Sequence, residues 1–311
     1  MNCSSLFVSV IVPNYNHARY LKQRIQSILN QTYQNFELII LDDNSPDDGA
    51  SRKIIEQYRD DPHVAHVVYN SVNSGSPFKQ WEKGINIAKG EYVWIAESDD
   101  YCDQSFLQEL VRQITIHPTI SLAYCLSQPV NSEGLKIGRK IKKRKNKFLN
   151  GGDFVRKYMC CENPVYNASS AIFKRSAAIG ISKQYMKYKG TGDRMFWIEI
   201  AERGDVAVVN IPLNYFRQHN EKVTPKRSFD GTNLKEAKQT FDYLSKRHLS
   251  VIRRFFVKGF YLYLISSTNF ESKDIKKNLF FLWGRQKLIF PIQALLGRAF
   301  VSLRYKLNLY L

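Results

Sequence analysis

The chain has 311 residues, 44% of them hydrophobic, which is enough for one large α/β domain with a real core or for a domain with an appendage. Its formal charge of +18 at pH 7 points to a polyanionic partner: a nucleic acid, an anionic membrane surface or phosphorylated substrates. The charge is concentrated in eight basic residues at 136–147 and in thirteen from position 246 onward, where only Glu271 and Asp274 are acidic.

Targeting and redox features exclude several classes of protein. The five cysteines are odd in number and lack metal-ligand spacing, so we expect buried thiols in a reducing compartment. The first residues lack the basic-then-apolar layout of a signal peptide. No uncharged apolar run reaches the roughly 18 residues of a spanning helix. The sequence therefore predicts a cytoplasmic protein without a transmembrane helix.

Strands and helices alternate over the first 117 residues. Apolar, β-forming runs predict strands at 6–12, 36–41, 64–69 and 92–96. Amphipathic spacing predicts helices at 19–31, 47–60, 78–88 and 106–117. Four strand–helix units in a row argue for an α/β fold with a Rossmann-like, doubly wound and mostly parallel sheet.

The second half has a less regular pattern. It predicts strands at 121–126 and 167–173, helices at 152–159 and 233–247, and one or two strands at 206–216, broken at Pro212. The basic run 136–147 is predicted to be an exposed loop or hairpin, and the polar segment 217–228 to be mobile. We divide the chain into an α/β domain, residues 1–230, and a basic, aromatic-rich helical extension, residues 231–311.

Acidic residues collect at the carboxyl ends of the second and fourth strands. Asp42 and Asp43 follow the second strand, where an ordinary turn or a contact to a nucleotide base or ribose would explain them. Glu97, Asp99 and Asp100 follow the fourth strand. Three carboxylates there are costly unless a cation lies among them, and Mg²⁺ or Mn²⁺ carrying phosphate oxygens is the economical interpretation. An acidic turn is the alternative.

Asp193 lies on a Gly-rich loop, 190–193, that opens a helix running to Glu202. A carboxylate there is either a helix cap or a general base that faces the metal site. No Gly-x-Gly-x-x-Gly motif follows the first strand, and the chain has no Walker loop, which counts against a dinucleotide dehydrogenase and a P-loop NTPase.

Four early segments together carry a resemblance to a known family. They are residues 8–16 (VSVIVPNYN), 27–33 (SILNQTY), 36–45 (FELIILDDNS) and 88–100 (AKGEYVWIAESDD). In this order they resemble the family-2 glycosyltransferases of the GT-A fold, and Gly192-Asp193 and 215–219 (YFRQH) are similar to later motifs of that family. The resemblance implies a GT-A fold and an inverting transfer of a sugar from a nucleotide diphosphate sugar, usually a UDP-sugar, with Mn²⁺ or Mg²⁺.

The resemblance also implies which residues bind the nucleotide. Pro13 and Tyr15 would line the nucleobase pocket, and Asp43 would bind the base with Asp42 beside it. Glu97 stands where the family often has the first Asp of an Asp-x-Asp motif. This departure keeps the charge and lengthens the side chain.

The metal and the chemistry are assigned in the same way. Asp99, with Asp100 beside it, would ligate the metal that bridges the two phosphates. Asp193 would be the catalytic base. Arg217 and His219 would lie in a loop that closes over the diphosphate and is therefore part of the nucleotide site.

The C-terminal residues add a prediction about partners. Basic residues alternate there with large apolar ones at helical spacing, as in helices that lie in a membrane interface, although packing on the core would give a similar pattern. We expect a nucleotide-sugar donor, a glycan or polyprenyl-linked acceptor in polysaccharide biosynthesis, and peripheral attachment to the inner face of the cell membrane. A degenerate sugar-nucleotide binder and, with less support, a nucleic-acid-binding protein remain alternatives; no nucleic acid is expected.

Overall fold

The computed structural model describes residues 6–139, 141–219, 228–286 and 288–306. Within these ranges nine strands form one sheet. They are β1 (Val8–Asn14), β2 (Phe36–Asp42), β3 (Val64–Tyr69), β4 (Tyr92–Ile95), β5 (Tyr101–Cys102), β6 (Ile120–Val130), β7 (Lys147–Leu149), β8 (Ala171–Lys174) and β9 (Asp205–Arg217). Their order across the sheet is β3-β2-β1-β4-β8-β6-β9-β5, and β7 pairs with β9.

The described helices cover both faces of this sheet. They are α1 (Ala18–Leu29), α2 (Ala50–Glu56), α3 (Pro77–Ile87), α4 (Phe106–Ile116), α5 (Gly151–Tyr158), α6 (Arg175–Ile179), α7 (Gly192–Ala201), α8 (Thr232–Arg247), α9 (Val251–Ser267), α10 (Lys273–Leu282) and α11 (Phe290–Lys306). Successive strand residues point to opposite faces, so the alternating side chains of β1 enter two separate hydrophobic clusters.

The first half of the sheet has the predicted parallel arrangement. Strand β1 lies between β2 and β4 and is parallel to both, and β3 is parallel to β2. All seven residues of β1 are buried, as expected for a strand covered on both faces. Strand β8 is antiparallel to both β4 and β6, while β6 and β9 are parallel. The α/β, doubly wound architecture is therefore confirmed.

Three local predictions differ from the structure. Strand β9 continues through Pro212, because the register with β6 shifts there and the proline needs no ladder N–H. The strand predicted at 167–173 begins as a 3₁₀ turn, Ala168–Ser170, before β8. Asp193 lies in the first turn of α7 rather than on the preceding loop. In the segment predicted to be mobile, residues 220–227 lie outside the described ranges.

The C-terminal helices share the core of the α/β body. Leu244, Leu262 and Trp283 are buried in the same hydrophobic cluster as Phe196 of α7. In the described part of the chain, no helix combines the length and the apolar character needed to cross a membrane. The described residues of the extension predicted at 231–311 are thus mainly helical and packed on the core, and the domain boundary at 230/231 stays a prediction.

Candidate active site

A cavity of about 410 Å³ lies at the carboxyl edge of β1, β2 and β4. Loops after parallel strands converge at this edge, which is where open α/β sheets bind ligands. A larger cavity of about 880 Å³ lies at the amino ends of these strands, away from the predicted acidic cluster. The smaller cavity is lined by Pro13, Asn14, Tyr15, Asn16, His17, Asp43, Asn73, Gly75, Ser76, Pro77, Gln80, Glu97 and Ser98. It thus brings together four of the residues predicted to bind a nucleotide: Pro13, Tyr15, Asp43 and Glu97.

Asp43 is fixed in the wall of this cavity by several donors. Its Oδ1 accepts hydrogen bonds from Asn70 Nδ2 at 2.6 Å, from the Ser74 backbone N–H at 2.9 Å and from Gln80 Nε2 at 2.8 Å. Its Oδ2 accepts from the Ser74 hydroxyl at 2.7 Å. The loop before α3 therefore holds the carboxylate in one orientation, with Tyr15 half-exposed in the same cavity.

The adjacent Asp42 has a different environment. Its Oδ1 accepts from Asn14 Nδ2 and from the Ser45 hydroxyl, both at 2.7 Å, and its Oδ2 accepts from the Ser45 backbone N–H at 3.1 Å. Asp42 is not among the described residues that line the cavity. It ties the turn after β2 to the end of β1 and so supports the position of Asp43.

A second group of side chains can hold a metal ion. His17, Asp99 and His219 each offer one ligand atom, and these three atoms lie within 4.8 Å of one another. His219 Nε2 is 3.0 Å from Asp99 Oδ2, and His17 Nδ1 is 2.9 Å from the Ser98 hydroxyl. The buried Nδ1 of His219 has no hydrogen-bond partner in the described part of the chain. Because His17 also lines the cavity, this cluster adjoins it.

The electrostatics of the neighbouring acids fit a cation at this cluster. Burial raises the pKa of Glu97 to about 8, and the negative charge of Asp99 adds to the shift. Burial and Asp99 likewise raise the pKa of Asp100 to about 7. A divalent cation would relieve this crowding of negative charge, and a set of imidazole and carboxylate ligands suits a transition metal such as Mn²⁺.

Asp100 lies behind the cluster rather than in it. One carboxylate oxygen accepts from Asn167 Nδ2, and the other accepts from the Arg217 backbone N–H at 2.9 Å. Asp100 is 1% exposed. In this structure it joins β9 to the loop after β4, and its assignment as a metal ligand stays a prediction with no contact to support it.

Arg217 is placed differently from the expected closing loop. It is the last residue of β9 and is buried. Its guanidinium donates to the carbonyls of Asp99 and Ser132, both at 2.7 Å, and to Gln23 Oε1 at 2.6 Å. It also lies 4.5 Å from the ring centroid of Tyr20. Arg217 therefore anchors the strand end from which His219 reaches Asp99.

Asp193 lies apart from the lining of the 410 Å³ cavity. Its Oδ2 accepts from Asn163 Nδ2 at 2.8 Å, and burial raises its pKa to about 6. An aromatic contact joins its helix to the cavity: the ring of Trp81 is 5.6 Å from that of Phe196 in α7, and Trp81 Nε1 donates to Glu97 at 2.9 Å. Trp81 thus contacts both the helix that carries Asp193 and the Glu97 carboxylate.

Three contributors were missed by the sequence reasoning. His17 was assigned only to a polar loop, Trp81 received no role, and Asn163 was not considered. The position of His17, three residues beyond the end of β1, is the one signal that pointed to the carboxyl edge. The contacts of Trp81 and Asn163 are long-range, and no local pattern announces them.

An open α/β sheet with an acid-lined cavity at its carboxyl edge defines a class of proteins that bind ligands beyond their strand ends. The sequence model of glycosyl transferase family 2 matches residues 9–179, more than half of the chain. The chain therefore belongs to glycosyl transferase family 2, as the early motifs predicted.

Two curated relatives illustrate the similarity. The chain is 36% identical to glycosyltransferase GlyG of Streptococcus pneumoniae over 110 residues, which are 35% of this chain and 36% of the relative. It is 36% identical to the poly(ribitol-phosphate) beta-N-acetylglucosaminyltransferase TarP of Staphylococcus aureus over 105 residues, 33% and 31% of the two chains. The match thus spans about a third of the length of these curated relatives.

Solved structures extend the likeness over most of the chain. The S. aureus TarS 1-349 complex with UDP-GlcNAc has a TM-score of 0.65 at 18% identity, covering 85% of this chain and 74% of TarS. The mannosyltransferase PcManGT of Pyrobaculum calidifontis, in complex with GDP-Man and Mn²⁺, has a TM-score of 0.56 at 16% identity, covering 95% and 86%. At these identities the likeness shows the fold, which is the expected GT-A fold.

Proposed function

We propose that this protein is an inverting glycosyltransferase that moves a sugar from a nucleotide diphosphate sugar, a UDP-sugar in our assignment, to a hydroxyl acceptor. The observation that carries the proposal is the convergence of Asp43, Glu97 and the His17–Asp99–His219 cluster at one edge of the sheet. Family membership supports glycosyl transfer, and the UDP-GlcNAc complex of a structural neighbour supports the donor class.

The cavity residues bind the nucleotide in this proposal. Tyr15 and Pro13 contact the base, and Asp43 accepts a hydrogen bond from a base N–H. The His17–Asp99–His219 cluster would hold Mn²⁺ or Mg²⁺ beside the diphosphate. The bound cation would offset the negative charge that grows on the departing diphosphate. Glu97, held by Trp81, shapes the wall between nucleotide and acceptor.

Asp193 is the proposed base. The acceptor hydroxyl oxygen bonds to the anomeric carbon while the bond from that carbon to the phosphate oxygen breaks, and the bonding electrons leave with the nucleoside diphosphate. The hydroxyl proton goes to the Asp193 carboxylate. One displacement from the opposite face inverts the anomeric carbon, the geometry shared with inverting hydrolysis. A carboxylate with a pKa near 6 is ionised at neutral pH and still basic enough to take the proton.

We infer further that the acceptor is a glycan or a polyprenyl-linked intermediate of polysaccharide biosynthesis, reached at the inner face of the cell membrane. The name of TarP, a poly(ribitol-phosphate) transferase, supports a polysaccharide role. The excess of thirteen basic over two acidic residues from position 246 onward supports an anionic membrane surface as the place of work.

Thermal unfolding of the full chain with UDP-GlcNAc, UDP-glucose or GDP-mannose, with and without MnCl₂, tests the donor and metal assignments. We expect one nucleotide sugar to raise the melting temperature, and to raise it more with Mn²⁺, because ligands of the folded state stabilise it. His17→Ala or His219→Ala should weaken Mn²⁺ binding by about tenfold or more. His66→Ala, a histidine on β3, is the matched control.

Turnover then separates an enzyme from a degenerate sugar-nucleotide binder. Asp193→Asn should keep the donor-dependent thermal shift while the rate of UDP release falls by about 10²- to 10⁴-fold. Donor binding without any UDP release from the wild-type chain, under a panel of glycan acceptors, would favour the binder. No shift with any donor, with or without metal, would contradict the proposal.

A further inference from the structure

Helix α11 exposes several large apolar side chains, while two of its polar side chains are buried. Gln293 and Arg304 are 6% and 8% exposed, whereas Ile292 and Leu295 are 62% and 64% exposed. A helix on the surface of a globular protein normally has the reverse arrangement. The outer face of α11 comprises its exposed apolar residues Ile292, Leu295, Leu296, Ala299 and Leu303. Leu288 and Ile289 precede the helix and, with Phe281, form the α10–α11 tip.

The tip between α10 and α11 continues this apolar face. Phe281 is 89% exposed and Leu288 is 93% exposed, the highest values among the large hydrophobic side chains of the described residues. Large apolar side chains exposed together on one part of the chain mark a candidate interaction surface.

The arrangement is held by the packing of the helix beneath it. Gly297 brings α11 against α9 so closely that an added Cβ would lie 2.1 Å from the Phe260 backbone nitrogen. Phe256 and Phe300 stack at 5.4 Å between the two helices. The inner side of α11 is therefore committed to the core, and the outer face cannot turn inward without losing these contacts.

Basic side chains lie at the connection between α10 and α11 and on α11 itself. Arg285 lies 4.6 Å and 4.7 Å from the ring centroids of Phe280 and Phe290, and Lys258 Nζ donates to the Gly284 carbonyl at 2.8 Å. Arg298 is exposed on α11 itself. No acidic residue occurs in the sequence after Asp274. The segment that carries the apolar face is thus basic or uncharged throughout.

We propose that the outer face of α11 and the α10–α11 tip dock the protein on an anionic lipid bilayer. Apolar side chains would enter the headgroup boundary, while Arg285, Arg298 and Lys258 would meet lipid phosphates. A second copy fits this surface less well, since a two-fold interface sets the same patch against itself and would oppose two basic borders. The proposal deepens the proposed function by naming the surface that would bring the site to a lipid-linked acceptor.

Co-sedimentation of the full chain with vesicles tests the docking. Vesicles of phosphatidylglycerol and phosphatidylethanolamine should bind the wild-type protein, and neutral phosphatidylcholine vesicles should bind it at least tenfold more weakly. A triple variant, Phe281→Ser, Leu288→Ser and Leu295→Ser, should reduce binding to the anionic vesicles by at least tenfold. The control variant Val72→Ser, Ile116→Ser and Leu135→Ser removes three apolar side chains elsewhere that are each more than half exposed, and it should bind as the wild type does.

A charge variant and a mass measurement complete the test. Arg285→Gln with Arg298→Gln should weaken anionic binding, whereas Arg139→Gln with Lys142→Gln, an equal loss of charge, should not. Equal vesicle binding by all variants would overturn the proposal, and so would a wild type that binds no vesicles. It would also be overturned if the mass in solution showed a dimer for the wild type and a monomer for the triple variant. UDP release without vesicles should be the same in the triple variant and the wild type, so a failure of docking leaves the proposed transfer reaction standing.

Discussion

At the scale of single residues, the proposed role of Asp193 as the base predicts a pH dependence of the transfer rate. Burial raises its pKa to about 6, and the hydrogen bond from Asn163 opposes that shift. A base works only when ionised, so protonation of Asp193 should make kcat/KM fall about tenfold per pH unit below 6. Asn163→Ala removes the opposing hydrogen bond and should move the inflection to higher pH.

The measurement is the pH profile of UDP release between pH 5 and 8 for both proteins, with donor binding followed in parallel as a control. Donor binding of the wild type and of Asn163→Ala should be equal at pH 7.5, because Asn163 is not among the described residues that line the cavity. Identical inflections in the two profiles would argue against Asp193 as the base.

The candidate site was predictable from the sequence where chemistry and strand ends coincide. Asp43 and Glu97 follow buried apolar strands, so their convergence on one edge follows from parallel pairing. His17 and His219 are different, because they meet Asp99 only after segments more than 80 residues apart have folded together. The burial of Arg217 was not predictable either, because its guanidinium donates to four carbonyl or amide oxygens from segments distant in sequence.

At the scale of elements, long periodic segments were predicted and short pairings were not. Strand β3 has the bounds that its apolar run predicts, and α1, α3 and α4 are within two residues of theirs. Strands β5 and β7 have two and three residues, and each pairs in antiparallel fashion with the edge of β9 that β6 leaves open. Such short strands carry no period of their own, so only the partner strand reveals them.

The close crossing of α9 and α11 gives a prediction at this scale. A Cβ at Gly297 would lie 2.1 Å from the Phe260 nitrogen and 2.3 Å from the Gly259 carbonyl carbon. Gly297→Ala should therefore force the helices apart and lower the free energy of unfolding by about 1–3 kcal/mol. It should also lower the urea midpoint, measured by circular dichroism.

Gly152→Ala in α5 is the matched control for this change. Its nearest atom would be 3.4 Å away, an ordinary contact, and Ala favours the helix by about 0.5–1 kcal/mol. The two alanine variants should thus shift the urea midpoint in opposite directions. A Gly297→Ala protein as stable as the wild type would mean that α11 is not seated as described.

At the scale of the whole molecule, net charge and composition predicted a helical, basic C-terminal region but not its dependence on the α/β body. The sequence allowed either an independent appendage or a part of the core. In the structure, the inner sides of α9 to α11 pack in the main hydrophobic cluster, whereas the outer face of α11 is exposed. Only packing partners distinguish the two sides, because large apolar residues occur on both.

Removal of residues 251–311 should consequently destabilise the catalytic body rather than release an appendage. Truncation would uncover Phe241 and Leu244, which lie with Leu262 and Trp283 in one cluster. It would also take Tyr261 from the buried Arg194, whose Nη1 donates to the Tyr261 hydroxyl at 2.7 Å beside the proposed base. Losing a partner of a buried charge is costly, so the remaining chain should melt at a lower temperature and lose UDP release.

Tyr261→Phe in the full chain isolates the polar part of this effect. It keeps the stacking on Trp283, at a centroid distance of 4.5 Å, and removes the hydroxyl. The free energy of unfolding should fall by about 1.5–3 kcal/mol, the usual value for a hydrogen bond to a charged group. Thermal melts and UDP release, measured for the wild type, Tyr261→Phe and the truncated chain, should decrease in that order. A truncated chain with the melting temperature and turnover of the wild type would show that α9 to α11 fold apart from the body.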